Sequence, residues 1–178
     1  MPEKTKEPWL NYLALTTVIL AVCATLASFM ATKYGGKSVI NQAQASDQWA
    51  YYQAKSIKGN LYQLQRERVQ LELELLESNA PAAKVAGFRA FLATYEHKVS
   101  KYDKEKIEIE QKAVDLEMKR DDAQKHVYMF GVAVLLLQIS ILISSIAALL
   151  KHKWLWHLAL PIGFIGTIFF GNAYLLLF

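Results

Sequence analysis

Three apolar stretches, residues 10–31, 127–150 and 155–178, contain no Asp, Glu, Lys or Arg. A hydrocarbon core about 30 Å thick needs roughly 20 such residues in helical form, and lipid offers nothing to an unpaired backbone group. Each stretch is therefore expected to cross a membrane as an α-helix. The first is not read as a secretory signal, although Lys4 and Lys6 precede it. Its apolar run exceeds the roughly 7–15 residues of a signal core, and no small-x-small cleavage site closes it. Val22 before Cys23 likewise argues against a lipoprotein, so an uncleaved anchor is expected.

The intervening residues carry interleaved charges on a heptad pattern. Phe88, Leu92, Tyr95, Val99, Tyr102, Lys106, Ile109, Ala113, Leu116, Arg120, Ala123 and Val127 alternate steps of four and three, the spacing of a coiled-coil seam. Upstream, Gly35 and Gly36 are expected to interrupt the chain and Ser38 to cap a new helix. Ala43, Asp47, Ala50, Ala54, Ile57, Leu61, Leu64, Arg68, Leu71 and Leu75 then repeat the four-three rule. Asn79 and Pro81, in the segment 78–81, supply a turn.

The expected fold is thus an all-α membrane protein. It has a tail and first span at 1–31, an antiparallel coiled-coil hairpin at 32–126, a second span at 127–150, and a short basic loop with a third span at 151–178. The hairpin's second helix is expected to run unbroken into the second span. At about 1.5 Å per residue, some forty residues would project roughly 60 Å. A tight turn pairs Leu64 with Leu92 and Ile57 with Val99; a looser one around Gly87 pairs Asp47 with Arg120. The tight register is preferred.

The single cysteine, Cys23, excludes an intrachain disulfide or thiolate metal site. The net charge of +4 does not imply nucleic acid, because the basic residues between the first two spans are mixed with almost as many acidic ones. Sidedness rests on short segments. Lys4, Lys6, Lys151 and Lys153 share one side, with Trp9, Tyr12, Trp154 and Trp156 as an aromatic belt. This favours a bacterial inner membrane, a cytoplasmic N-terminus and a periplasmic hairpin. Lys33, Lys37, Lys112, Lys119, Arg120 and Lys125 argue the other way.

One segment departs from a generic coiled coil: Gln44 to Lys58, dense in aromatic and amide side chains. Trp49, Tyr52, Gln53 and Ser56 would share one face, with Gln48, Tyr51 and Lys55 on the next. Here the chain resembles an uncharacterised family of bacterial membrane proteins known only as a domain of unknown function, from Trp9 through the third span. The resemblance implies a membrane location and the same layout, and it carries no activity or catalytic residue. Asp47, Gln48, Trp49, Tyr51, Tyr52, Gln53 and Lys55 form a candidate interface with another subunit or protein. The plainer reading is packing against the small residues Ala43, Ala50 and Ala54.

Within the spans, Ala24 and Ser28 in the first and Gly163, Gly166 and Gly171 in the third are candidates for close helix packing, within one chain and between chains. Gln138, Ser140 and Ser144 are candidates for an interhelical hydrogen bond or, less readily, a pore lining. No intramembrane charge marks a proton relay. The chain has no HExxH, no phosphate-cradling glycine loop and no nucleophile beside a base, so no catalytic residue, cofactor or metal ligand is expected. The leading expectation is a homo-oligomeric scaffold or docking assembly in contact with lipid. An oligomeric channel is the alternative, followed by a monomeric adaptor whose hairpin grips another complex.

Overall fold

The computed structural model describes residues 8–76 and 81–176, which are all-helical with no strand among them. Helix α1 spans Pro8–Leu76, α2 Ala82–Leu150 and α3 Lys153–Leu175. Each contains a stretch long and apolar enough to cross a membrane. The chain divides into two compact units, one of residues 1–40 and 119–178 and the other of residues 41–118. Of the expected turn, residues 78–80, with the candidate cap Asn79, lie outside the described residues. Pro81 directly precedes α2, its carbonyl accepting from the Lys84 and Val85 amides at 2.9 and 3.3 Å.

In the first unit three layers of side chains hold the helices together. Trp9, Leu13 and Ala147 pack at one end, with Leu155 and Trp156 against them. Leu20, Ala24 and Leu137 form the middle, and Ala27, Phe130 and Ala173 the far end. Trp9 and Trp156, two members of the expected aromatic belt, lie 6.4 Å apart, while Tyr12 and Trp154 face outward. The turn from α2 to α3 is made by Lys151 at φ 55, which lets the His152 amide reach back 3.2 Å to the Ala147 carbonyl. That is the six-to-one bond of a Schellman cap, here with a cation beside the helix's negative end.

In the second unit the α2 seam is the expected one: Leu92, Tyr95, Val99, Tyr102, Lys106, Ile109, Ala113 and Leu116 are its covered positions. The α1 seam is not. Its covered positions are Asn41, Ala45, Gln48, Tyr52, Lys55, Gly59, Tyr62, Arg66, Val69 and Leu73, while Ile57, Leu61, Leu64, Leu71 and Leu75 stand exposed. The reason is phase. α1 remains helical through Gly35 and Gly36, where a break was expected. Counting fours and threes onward from Leu20, Ala24 and Ala27 therefore arrives at Asn41 and Ala45, two residues away from the more apolar stripe.

The segments run antiparallel, with Trp49 against Glu117, Lys55 against Glu105 and Tyr62 against Tyr95. A Cβ on Gly59 would lie 3.4 Å from that of Tyr102. This register differs by about one helical turn from the tight pairing of Leu64 with Leu92. A Cys23→Ala chain carrying Gly59→Cys and Tyr102→Cys is expected to close a disulfide readily in membranes, since the Cβ separation suits one. Leu64→Cys with Leu92→Cys should close poorly. The opposite ranking would contradict this register.

Candidate functional site

The segment from Gln44 to Lys58 is divided between two environments. Gln48, Trp49, Tyr52, Lys55 and Ser56 turn partly inward, whereas Asp47, Tyr51 and Gln53 are exposed. The indole N–H of Trp49 donates to Glu117 Oε1 at 2.9 Å, and its ring meets Tyr52 edge-on at 5.6 Å. Lys55 Nζ donates to Glu105 Oε2 at 2.6 Å. It also lies 5.3 and 5.4 Å from the ring centroids of Tyr51 and Tyr102. Tyr102 stacks on Tyr62 at 5.5 Å, and Lys98 Nζ sits 4.6 Å over the Tyr62 ring.

A column of cations and rings thus runs from Lys98 through the stacked pair Tyr62 and Tyr102 to Lys55 and Tyr51. Each cation faces an electron-rich ring, a contact worth about 0.5–1 kcal/mol at exposed sites. Gly59 lies against the backbone end of Tyr102, where a built Cβ would be in van der Waals contact, 3.4 Å from the Tyr102 Cβ. The inward members of the candidate interface therefore join the two antiparallel segments of the second unit, whereas Asp47, Tyr51 and Gln53 are exposed. Glu105, Glu117, Tyr62 and Tyr102 were absent from the sequence-derived site. The pairing of a Lys/Trp-bearing stripe with an opposing Glu-bearing one was the signal for them.

The hydrogen bond with Glu105, followed by that with Tyr51, raises the Lys55 ammonium above its ordinary pKa. The hydrogen bond from Lys55 holds the Glu105 carboxyl below its ordinary range. The pair's stabilisation is present above the unfolded carboxyl pKa and is lost as pH falls through the lowered folded value. It is lost again at the alkaline end, as pH rises through the raised Lys55 value. The wild type is expected to lose thermal stability below about pH 4.5, and Glu105→Gln to flatten that loss, both followed by circular dichroism of the full chain. Superimposable pH profiles would contradict the pairing.

In the membrane unit the candidates separate by face. Ala24 is buried in the middle layer, while Ser28 is exposed. Gly163 and Gly166 are buried, and Gly171 is exposed with nothing within 4 Å of a built Cβ. A Cβ at Gly163 would stand 2.7 Å from Ser140 Oγ; one at Gly166 would stand 3.1 Å from the Leu136 Cβ. Ser140 is fully buried and donates to the Ala159 carbonyl at 2.7 Å, in the space that Gly163 leaves. Ser144 is buried too, but Gln138 is exposed, so the three polar residues do not meet.

At the far end His126 Nδ1 lies 2.6 Å from the Ala173 carbonyl, with Tyr34 stacked on the imidazole at 4.3 Å. Among the described residues no cluster of three or more His, Cys, Asp or Glu side chains is placed to hold a metal ion. Gly166→Ala is expected to destabilise the membrane unit by about 1–3 kcal/mol through overpacking, and Gly171→Ala to leave it unchanged. Unfolding titrations of the full chain in mixed micelles check this; equal effects would contradict the close α2–α3 contact.

No curated protein and no solved structure matches the chain. A family profile described as domain of unknown function DUF4337 matches residues 9–176. That match covers nearly the whole sequence, and the chain belongs to this family.

Proposed function

We propose that this chain is a non-enzymatic membrane scaffold that associates with itself and uses its hairpin as a docking surface. One observation carries the reading. Ile57, Leu61, Leu64, Leu71 and Leu75 are each more than half exposed, on four-three spacing, in a segment that also bears Lys58, Glu67 and Glu72. Such a row is a seam without its partner, and covering a side chain of this kind contributes about 1.5–3 kcal/mol. The exposed Asp47, Tyr51 and Gln53 lie on the same helix and could extend the contact.

In this reading residues 32–126 act as an antiparallel coiled-coil hairpin, and α2 carries its second arm into the membrane. A shape change outside could then be passed inward along one helix. The basic segments around residues 4–6 and 151–153 support a cytoplasmic N-terminus and a periplasmic hairpin in a bacterial inner membrane. A pore lined together by Gln138, Ser140 and Ser144 is less well supported, because these residues occupy different faces of α2.

The test replaces Leu61, Leu64 and Leu71 together with serine and follows energy transfer between labelled full-length copies in liposomes. Self-association is expected to weaken at least roughly tenfold while helical content is kept. Undiminished transfer would contradict the docking role of the stripe.

A further inference from the structure

We infer that copies of this chain pair in the membrane along one outer face of α2, parallel and in register, with Gln138 of each copy hydrogen-bonded to Gln138 of the next. This inference rests on the self-association proposed above and adds to the leucine row of the second unit a separate contact within the membrane.

α2 has two stripes in its membrane segment. One, with Ala133, Leu137, Ser140, Ser144 and Ala147, is buried against α1 and α3. The other points away from both. Its leucines, Leu135, Leu142 and Leu149, are 61%, 63% and 83% exposed. Gly131, Gln138 and Ser145 alternate with them, so that polar or small residues and leucines each recur every seventh position. This is the a/d rhythm of a helix seam with a single amide at its central a position. A built Cβ at Gly131 meets nothing within 4 Å, and an open groove lined by Ser28, Thr32, Tyr128, Gly131 and Leu135 adjoins it.

Lipid can satisfy leucines on this face, but it cannot satisfy Gln138. The residue lies near the middle of a charge-free span, where neither water nor headgroups can bond an amide. An amide carries both donors and an acceptor, so a second amide is its natural complement. The same chain supplies one. Copies inserted with the same topology carry α2 in the same direction, and a two-fold axis along the membrane normal places the seam's Gln138 opposite itself. A slip of one heptad would set Gln138 against Gly131 or Ser145 and lose the pair. The amide thus selects the register, as a lone polar a residue does in soluble coiled coils.

The test uses the full chain with Cys23→Ala in lipid bilayers, carrying single cysteines at Leu135, Leu142 or, as a lipid-facing control on another helix, Phe164. The Leu135→Cys and Leu142→Cys chains are each expected to crosslink with their own kind several times faster than Phe164→Cys. Mixtures of Leu135→Cys with Leu142→Cys should add little mixed product. In parallel, Gln138→Leu should weaken association measured by energy transfer by roughly 3- to 20-fold, the range of interhelical polar contacts in membranes, and Gln138→Asn should restore most of it. An oligomer that forms without crosslinks at 135 and 142, and is indifferent to Gln138→Leu, overturns this face while leaving self-association standing. A chain that stays monomeric at every protein-to-lipid ratio overturns both.

Discussion

Everything in the membrane unit follows from the absence of a competing hydrogen-bond partner in hydrocarbon. Within a span a polar group must be satisfied by protein, and the closeness of helices decides which groups can be. Gly163 and Gly166 let α3 lie near enough to α2 for Ser140 to reach the Ala159 carbonyl. Trp156 Nε1 donates to Thr16 Oγ1 at 3.2 Å, tying α3 to α1 at the opposite side of the bundle. His126 does the same for the far end of α2 and α3 through the Ala173 carbonyl. Phe130, Leu137 and the alanines fill much of what remains, with Ser144 and Asn172 also buried.

The second unit, residues 41–118, is held together differently. It does not bury its most apolar stripe. Instead its α1 segment places Lys55, Gly59 and Tyr62 against the tyrosines of α2, where the Lys55 ammonium meets the Tyr102 ring and the Glu105 carboxylate. This arrangement leaves leucines outside. Under the proposed scaffold role, that exposed row is the association surface.

The three spans, the helical class and the α2 seam were legible in the sequence, since charge-free runs and an unbroken four-three rhythm depend only on local composition. The α1 seam was not. Ile57, Leu61 and Leu64 looked like core because apolarity was weighed without phase, and Gly35 and Gly36 looked like a reset. A glycine costs about 1 kcal/mol in a helix interior, which long helical segments on both sides can override. Gly35 also lies in a contact, with a built Cβ 3.9 Å from Val127. Gln138 was recognised as unusual, but its direction was open. The seven-residue spacing of Gly131, Gln138 and Ser145 already placed it on a face distinct from Ser140 and Ser144. Which of those faces lies inside needed the third helix, whose docking is set by glycine clearances that no periodicity encodes.

Under the proposed function, self-association covers both the amide turned outward in one span and the leucine row turned outward in the second unit. The most direct measurement is the mass of the wild-type chain released in native-lipid particles. A single integer multiple of the chain mass, greater than one and stable across dilution, is the predicted result. A chain recovered only as a monomer, with both surfaces bare, would contradict it.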